Sequence, residues 1–502
     1  MGITIVGLGP GDGRYLTREA WRLLKASEAI VVRTAQHPAI DDLPGTVEVI
    51  SFDDVYETAD SFDEVYASIA GKVLRLGREA ADQEKEILYA VPGHPLVGES
   101  TVTIILSEAA AENLVVRIVD GLSFVEPTLA ALELDALEGL QLFDALEIAG
   151  YNHPPLNGDR PALLGQLYSR MVAGEVKLAL MALYPDDHEV ALVHGAGTVG
   201  QRVEKVPLYG VDHSDQIGHL TSLFVPPLPY PGTLESLAET VAYLRGPEGC
   251  PWDQEQTSQS LRAGLLDEAS EVLQAIDDGD PMALREELGD MLYHVVMQAR
   301  IAAEQEEFRL SEVIGGIVGK LKRRHPHVWG DAEANDSQQV IQNWEQIKDQ
   351  ENHRSTKAES ALNNVPLALP ALARAQKVQQ RVSRVGFDWP DVSGVEAKVQ
   401  EEIDEARAAT TDAARHEEMG DVLFALVNWT RWLHVDAESA LRDAIRRFEI
   451  RFRLVERLAA ERSLELMDLS IGELDELWDE AKAALNGERR EAPGSESREA
   501  EA

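Results

Sequence analysis

Acidic side chains recur at helical spacing near the C-terminal end of the chain. In the segment KVQEEIDEARAATTDAARHEEMGDVLFALVN, Glu402 and Glu405 are three residues apart, and Glu418 and Asp421 repeat this spacing after a short break. Residues three apart share a helix face. A short connection makes two helices antiparallel neighbours, so the carboxylates are expected to converge. Such a cluster raises its own pKa values unless a cation is present.

The same pattern occurs earlier, in LLDEASEVLQAIDDGDPMALREELGDMLYHVV, where its acids are Glu268, Glu271, Glu287 and Asp290. A solvated charged face is the usual explanation of a single E-x-x-E pair. Two pairs in register, repeated in two units with Gly-Asp at the same place, favour a metal cluster instead. Hard divalent cations take oxygen ligands, and Mg²⁺ is the usual ion where phosphates complete the shell. Mn²⁺ is the alternative.

Composition limits the classes of partner. The 502 residues include 46 Lys and Arg against 88 Asp and Glu, a formal net charge of -42. Such a surface repels phosphate backbones and anionic lipids, so neither nucleic acid nor membrane is expected as a partner. The N-terminus lacks a signal-peptide pattern, and no apolar run reaches the ~18 residues of a membrane span. The single cysteine, Cys250, fits a reducing compartment. We expect a cytoplasmic protein.

The two parts of the chain have different patterns. Short apolar runs in the first part predict an α/β fold, with strands in ITIVGLG, EAIVV, EILYAVPG, VVRIVDG and KLALMALYP. Prolines cluster in VPPLPYPGTLE, and amphipathic helical patterns follow. We therefore expect an α/β domain at 1–227, all-α domains at 228–357 and 358–486, and a disordered polar tail at 487–502.

The helical part resembles the MazG family of nucleoside triphosphate pyrophosphohydrolases. The stretches that carry the resemblance are LRGPEGCPWDQEQT, LREELGDMLYHVV, KLKRRHPHVWGD, NWEQIKDQE, RVGFDWPDVSGVEAKVQEEIDE, HEEMGDVLFALVN and ELDELWDEAKAA. The resemblance implies two helical-bundle domains in a homodimer or higher homo-oligomer. It also implies Mg²⁺-dependent hydrolysis of a nucleoside triphosphate to the monophosphate and pyrophosphate, with non-standard nucleotides as candidate substrates.

The resemblance also assigns roles to residues. Both acid sets match the family's metal ligands: Glu402, Glu405, Glu418 and Asp421 in the second copy, and Glu268, Glu271, Glu287 and Asp290 in the first. Lys398, Arg447, Arg451 and Trp478 match nucleotide-binding positions. An arginine side chain can pair with triphosphate oxygens, and an indole ring can stack on any nucleobase. Glu401, Glu402, Lys398 and Asn428 are the catalytic candidates, with Glu401 as an acceptor of the water proton.

The second copy is predicted to carry most of the turnover. It has Lys398 one turn before Glu402, where the first copy has Gly264. It also has Asn428 two turns after Asp421, where the first copy has Met297.

Several other residues are expected to be structural. Trp252 and Trp389 are predicted to fill cores at helix starts, and Cys250 to be a packed thiol. His325 and His327 could suggest a metal, but Pro326 between them favours the end of a helix.

The N-terminal part resembles the tetrapyrrole (corrin/porphyrin) methylase family. IVGLGPGD, YAVPGHPLVGESTV, IVDGLSFVEPTLAAL, KLALMALYP, GAGTVGQRVEKVPL and HLTSLFVPP occur in the family's order. The resemblance implies two α/β subdomains with S-adenosylmethionine in the cleft between them. The residues expected beside that cofactor are Gly7, Gly9, Pro10, Gly11, Pro92, Gly93, His94, Gly121 and Ser123. The family loop commonly reads Gly-Asp-Pro, whereas this chain has Gly93-His94-Pro95.

Two alternative functions stay open at the level of sequence. In one, the protein is a methyltransferase whose acidic helices serve only for oligomerisation. In the other, it is a regulator that senses S-adenosylmethionine. The base preference and the methyl acceptor are not encoded in any pattern that we identify.

Overall fold

The apolar run ITIVG forms strand β1 (Ile3–Gly7), and all five of its residues are buried in the computed structural model. The neighbouring strands are β2 (Ala29–Val32), β3 (Glu48–Ser51), β4 (Ile87–Val91) and β5 (Val116–Val119). They form a parallel sheet in the order β3-β2-β4-β1-β5. Central parallel strands are covered on both faces, so they appear in sequence as continuous apolar runs. This explains why four of the five strands could be predicted.

A second five-stranded sheet follows along the chain. Its strands are β6 (Gln141–Asp144), β7 (Ala162–Gly165), β8 (Glu189–His194), β9 (Arg202–Pro207) and β10 (Thr221–Val225). Their order is β6-β7-β10-β8-β9, with β6 and β7 parallel and the other pairs antiparallel. The two sheets correspond to the two predicted α/β subdomains.

The prediction of a strand in KLALMALYP is wrong. Its first residues belong to a helix, Arg170–Leu180, that begins after the capping residue Ser169. Ser169 accepts a hydrogen bond from the backbone N–H of Val172. Leu, Ala, Met and Lys are strong helix formers, and no β-branched residue occurs in this run, so intrinsic propensity already favoured the helix.

Eight helices connect and cover the strands among the residues described up to Val225. They are α1 (Arg18–Ala26), α2 (Pro38–Asp41), α3 (Asp53–Thr58), α4 (Phe62–Asp82), α5 (Ser100–Glu112), α6 (Val125–Leu132), α7 (Ala145–Ala149) and α8 (Arg170–Leu180).

The structure describes residues 2–58, 61–334, 336–355, 360–363 and 365–491. The chain divides into two compact units, Met1–Ile317 and Val318–Ala502.

Helices replace strands in the described residues after Val225. They are α9 (Leu234–Leu244), α10 (Pro251–Glu255), α11 (Arg262–Asp278), α12 (Pro281–Glu304), α13 (Leu310–Arg324), α14 (Pro326–Trp329), α15 (Ser337–Ser355), α16 (Ala371–Ser383), α17 (Val392–Ala408), α18 (Asp412–Trp432), α19 (Ala437–Glu461) and α20 (Ile471–Glu491). None of the helices in the described ranges is long and apolar enough to cross a membrane.

The start of the helical part is fixed by one carboxylate. Asp159 accepts hydrogen bonds from the Gly232 N–H at 2.8 Å, from the Thr233 hydroxyl at 2.6 Å and from Ser236. Thr233 is also the N-cap of α9. The predicted boundary near residue 228 is therefore a segment with specific contacts to the α/β part.

The predicted helix end at Pro326 agrees with the structure. Helix α13 ends at Arg324, and His325 Nδ1 lies 2.7 Å from the carbonyl oxygen of Leu321. At the C-terminus, α20 continues to Glu491, and residues 492–502 of the predicted tail lie outside the described residues. The domain limits proposed from sequence stay a prediction.

Candidate metal and nucleotide site

A helical hairpin brings together the acids of the second copy. Helix α17 begins after Asp391, whose side chain caps two backbone N–H groups, and α18 begins after the cap Thr411. Only residues 409–411 separate the two helices, so they pack as antiparallel neighbours. Oxygens of Glu402, Glu418 and Asp421 lie within 4.8 Å of one another. The predicted convergence of acids therefore occurs for three of the four ligand positions.

The electrostatics of this cluster show mutual repulsion. The pKa of Glu418 is raised by burial and then by the charges of Glu405, Asp421 and Glu402. Glu405 therefore lies close enough to act on Glu418, although it is not one of the three convergent acids. A divalent ion would remove this repulsion.

Lys398 supplies the local counter-charge. Its Nζ lies 2.7 Å from Glu402 Oε1 and 3.1 Å from Glu401 Oε1. Hydrogen bonds to Glu402 and then Glu401 raise the pKa of Lys398 further above its usual value. Glu402 is only 7% exposed, so its charge is held near the ammonium group in a partly dehydrated position. The pairing orients one metal-ligand candidate before any ion binds.

A cavity of about 470 Å³ adjoins the acids. This volume is within the range of about 300–1,000 Å³ that is typical of small-molecule sites. Its lining combines charged residues, among them Lys398, Glu402 and Asp421, with apolar and aromatic ones. The full lining is Gln379, Val382, Gly386, Phe387, Asp388, Trp389, Lys398, Glu402, Asp421, Phe424, Ala425, Asn428 and Arg431.

Asn428 lines this cavity together with Asp421. Its Oδ1 accepts a hydrogen bond of 2.9 Å from Arg431 Nε. Arg431 in turn donates to Asp388 at 2.6 Å, and Trp432 Nε1 donates to the same oxygen at 3.2 Å. Because Asn428 already accepts through its oxygen, its amide N–H₂ group is the part that can donate to a ligand.

Other predicted residues lie elsewhere. Glu401 is exposed on α17 beside Lys398 and does not line the cavity. Arg447, Arg451 and Trp478 lie on α19 and α20 and are also not part of the cavity lining. The Arg451 guanidinium lies 5.9 Å from the centre of the Trp478 ring, a cation–π distance. Their nucleotide-binding role stays a prediction.

The prediction that Trp252 and Trp389 fill cores is wrong. Trp252 is 63% exposed, and Trp389 is 44% exposed and lines the cavity. Trp389 follows Asp388, whose carboxylate is held by Arg431, so the indole is positioned at the cavity wall. The local sequence FDWPD gave no sign of this, because the cavity is formed by α16, α17 and α18 together.

Sequence reasoning also missed Gln379 and Arg431. Gln379 on α16 is 5% exposed and donates through Nε2 to the carbonyl oxygen of Phe424 at 2.7 Å. This bond connects α16 to the second helix of the hairpin. For Arg431, the signal was present in the sequence, since it lies one helical turn after Asn428.

The first copy builds a similar cluster on α11 and α12. Oxygens of Glu268, Glu287 and Asp290 lie within 4.8 Å of one another. Burial, Asp290 and Glu271 raise the pKa of Glu268, and burial with Glu271 and Glu286 raises the pKa of Glu287.

The surroundings of this first cluster differ from those of the second. Met297, at the position of Asn428, is fully buried and packs against Val241, Leu261 and Ile301. A buried thioether leaves no polar amide at this position to meet a substrate.

A smaller cavity of about 180 Å³ lies in the α/β part, and four of the predicted cofactor-binding residues line it: Gly9, Pro10, Pro92 and Gly93. Gly9 has φ +76° and pairs with Gly93 through two backbone hydrogen bonds. A Cβ at Gly7 would meet the Gly93 oxygen at 2.6 Å and Gly121 at 2.8 Å, so these loops require glycine in order to approach closely.

The other predicted residues of this part do not line the cavity. His94 accepts at Nδ1 from the Leu96 N–H at 3.0 Å, and Ser123 is buried and bonded to Glu126. A Cβ at Gly11 would meet the Gly197 oxygen at 2.5 Å, so Gly11 has a packing role.

A buried ion pair that no sequence pattern suggested does line this cavity. Arg33 Nη1 lies 2.8 Å from Glu99 Oε2, and the Thr101 hydroxyl donates to the other Glu99 oxygen at 2.6 Å.

Comparisons with known proteins identify both parts. The profile described as the MazG nucleotide pyrophosphohydrolase domain matches residues 256–329, and the profile of the tetrapyrrole (corrin/porphyrin) methylases matches residues 2–212. A nucleoside triphosphate pyrophosphohydrolase of Escherichia coli K12 is 47% identical over 256 residues, which are 50% of this chain and 97% of that protein. The chain belongs to the MazG family.

Two further relatives are similar to this MazG-family chain. The nucleoside triphosphate pyrophosphohydrolase/pyrophosphatase MazG of Thermotoga maritima is 43% identical over 248 residues, covering 49% of this chain and 95% of that protein. Uncharacterized protein YabN of Bacillus subtilis is 40% identical over 489 residues, covering 96% of this chain and 98% of that protein. The family assignment and the fold class predicted from sequence, an α/β methylase-like domain followed by helical MazG domains, are therefore confirmed.

Proposed function

We propose that the second MazG copy hydrolyses nucleoside triphosphates to nucleoside monophosphate and pyrophosphate. The observation that supports this most directly is one cavity that combines Glu402 and Asp421, the cation Lys398 and an aromatic wall with Trp389. The charged groups of the lining suit a polyphosphate, and its aromatic groups suit a base. The names of the E. coli and T. maritima relatives support the same reaction.

The residues present fit a hard divalent ion. Glu402, Glu418 and Asp421 would hold it, with Glu405 beside them, because three oxygen ligands already converge and repel one another. Mg²⁺ is the proposed ion and Mn²⁺ the alternative. When bound, the ion neutralises charge on the triphosphate and activates the attacking water.

The chain's own side chains contribute positioning and proton transfer. Lys398 holds Glu402 in place through their ion pair, and its remaining donor capacity can contact a phosphate oxygen. Asn428 can donate through its amide to the substrate. Glu401, which faces solvent beside Lys398, is the proposed acceptor of the water proton. Trp389 supplies a surface on which a base can stack.

A homo-oligomer is part of this proposal. Helix α19 exposes Leu441, Ile445, Phe448 and Phe452, each between 39% and 56% accessible. Large apolar side chains on one helix in such numbers are typical of an association surface.

A panel of nucleoside triphosphates, assayed by product identity, tests the hydrolase proposal. With Mg²⁺ the products should be monophosphate and pyrophosphate, and a chelator should stop their formation. Release of inorganic phosphate and diphosphate instead would contradict the proposal. A chain that starts at Leu237 should keep the hydrolase activity. In the alternative, the protein is a methyltransferase whose acidic helices serve only for oligomerisation, and the shortened chain would then have no hydrolase activity.

For the α/β part we propose binding of S-adenosylmethionine at the glycine loops around Gly7, Gly9 and Gly93. The supporting observation is the close backbone approach that only glycine allows. The cavity of about 180 Å³ is below the range usual for ligands of this size, so binding requires the loops to open. Calorimetry with S-adenosylmethionine tests binding, and methyl transfer to candidate acceptors separates a methyltransferase from a sensor.

A further inference from the structure

Two buried glutamines lie one helical turn apart on α16, and only one of them uses both ends of its amide. Gln376 is 8% exposed; its Nε2 donates to the Val435 carbonyl oxygen at 3.0 Å, and its Oε1 accepts from the Ala437 N–H at 2.8 Å. Gln379 is 5% exposed, and its Nε2 donates to the Phe424 carbonyl oxygen at 2.7 Å. No described residue donates to Gln379 Oε1. Buried amide oxygens normally accept a hydrogen bond, so this oxygen lacks a partner.

The glutamine with the unpartnered oxygen is the one that lines the cavity of the second copy. Gln379 belongs to the lining together with Trp389 and Phe424, whereas Gln376 does not. Because the Phe424 carbonyl oxygen can only accept, it holds the amide nitrogen of Gln379 and prevents an exchange of the two ends of the amide. Gln379 therefore offers a ligand in this cavity an acceptor and not a donor.

An acceptor at this wall distinguishes between nucleobases. Adenine and cytosine carry an exocyclic amine, which donates, at the edge where guanine and thymine carry a carbonyl oxygen, which accepts. Hypoxanthine and uracil also carry a carbonyl oxygen there. An amine that faces Gln379 Oε1 completes the hydrogen bonds of the amide. A base carbonyl at the same place sets two acceptors against each other and leaves both unpaired, which weakens binding.

We propose that Gln379 is a specificity-determining residue of the second copy. Its Oε1 accepts from the N6 amine of adenine or the N4 amine of cytosine while the base stacks on Trp389. The inference rests on the proposed function of this copy and names its substrate class: ATP and CTP are preferred over ITP, GTP and UTP. Deaminated nucleotides are then poor substrates of this copy.

Calorimetry with α,β-methylene triphosphates, which cannot release pyrophosphate, tests the inference on the full chain with Mg²⁺. The cytidine analogue should bind about tenfold or more tightly than the uridine analogue, and the adenosine analogue should exceed the inosine analogue by a similar factor. Gln379→Met retains the approximate shape of the side chain but not the amide, and both ratios should fall below about twofold.

Gln376→Met is the matched control, because it removes a buried amide of the same helix that lies outside the cavity lining. Both ratios should stay at their wild-type values in this variant. Binding at the first copy is common to all three chains, so differences among them report on the second copy. If Gln379→Met does not fold, Gln379→Asn takes its place, because the shorter side chain withdraws the oxygen and should lower both ratios.

Three results would overturn the inference. The first is equal affinity for the cytidine and uridine analogues in the unmodified chain. The second is a Gln379 variant that retains the wild-type ratios. The third is equal weakening of all four analogues in that variant, which is the result of a purely structural role. Pyrophosphate release from the natural triphosphates is measured separately. A binding preference without any release contradicts only the hydrolase proposal, and release without a preference contradicts only the role of Gln379.

Discussion

The two MazG copies share a helical hairpin and a set of convergent acids but differ in what surrounds those acids. In the second copy, Lys398 pairs with the buried Glu402, and a cavity with an aromatic wall adjoins the cluster. In the first, Gly264 and His294 occupy the positions of Lys398 and Ala425, and the buried Met297 occupies the position of Asn428. A shared acid pattern therefore predicts ion binding in both copies, whereas the lysine, the amide and the cavity that suit a substrate surround the second cluster.

Removal of one acid from each copy should give the largest contrast. Glu402→Ala should lower kcat/KM for nucleoside triphosphate hydrolysis by about 100-fold or more, because it removes a metal ligand and the partner of Lys398. The matched Glu268→Ala should leave the rate within about twofold. Pyrophosphate release with Mg²⁺ measures both. If the two effects were reversed, the first copy would be the hydrolase.

Lys398→Met should have the next largest effect. It leaves Glu402 buried without its counter-charge and removes a donor to phosphate, so we expect kcat/KM to fall by about 10–100-fold. Lys398→Arg retains the positive charge and should recover part of the loss. Unchanged kinetics in Lys398→Met would show that the pair has no part in turnover.

The two tryptophans that were predicted to be equivalent should behave differently. Trp389→Leu should raise KM by about tenfold, because stacking of a base on an aromatic ring contributes about 1–3 kcal/mol. Trp252→Leu, which alters the exposed tryptophan on α10 of the first copy, should change KM by less than twofold. Steady-state kinetics with one nucleotide at fixed Mg²⁺ tests the pair, and equal effects would place the base elsewhere.

The smallest effect concerns stability and its dependence on pH. The raised pKa of Glu418 means that folding favours its protonated form. The metal-free protein therefore loses stability as pH rises through the pKa that Glu418 has in the folded state, because Glu418 becomes ionised. This loss of stability is absent below the pKa of a glutamate in the unfolded chain, about 4.3. Metal-free Glu418→Gln should melt above the wild type at pH 7 and equally with it at pH 3.5.

Added Mg²⁺ provides the control for this stability difference. At pH 7 it should stabilise the wild type more than Glu418→Gln, because only the wild type retains the ligand. A variant that is less stable than the metal-free wild type at pH 7 would show that the acids do not repel one another.

The parts that could be predicted are those encoded by local spacing. E-x-x-E and E-x-x-D patterns with a short polar break gave both hairpins, and continuous apolar runs gave four strands of the parallel sheet. The strand prediction for KLALMALYP failed because it rested on the apolar content of this run, whereas the residues in it are strong helix formers. Gln379 lies on α16, Trp389 in the segment between α16 and α17, and Arg431 on α18. Arg33 and Glu99 form an ion pair although they are 66 residues apart in the sequence. Such contacts depend on tertiary packing, which no local sequence pattern encodes.

Helix α11 of the first copy extends further beyond its acids than helix α17 of the second copy. Helix α11 continues seven residues beyond Glu271 to Asp278, whereas α17 continues three beyond Glu405 to Ala408. The four additional residues amount to about one helical turn, or roughly 6 Å. Because the additional residues lie at the tip of the hairpin, beyond the acids, three acids converge in each copy although the first helix differs in length.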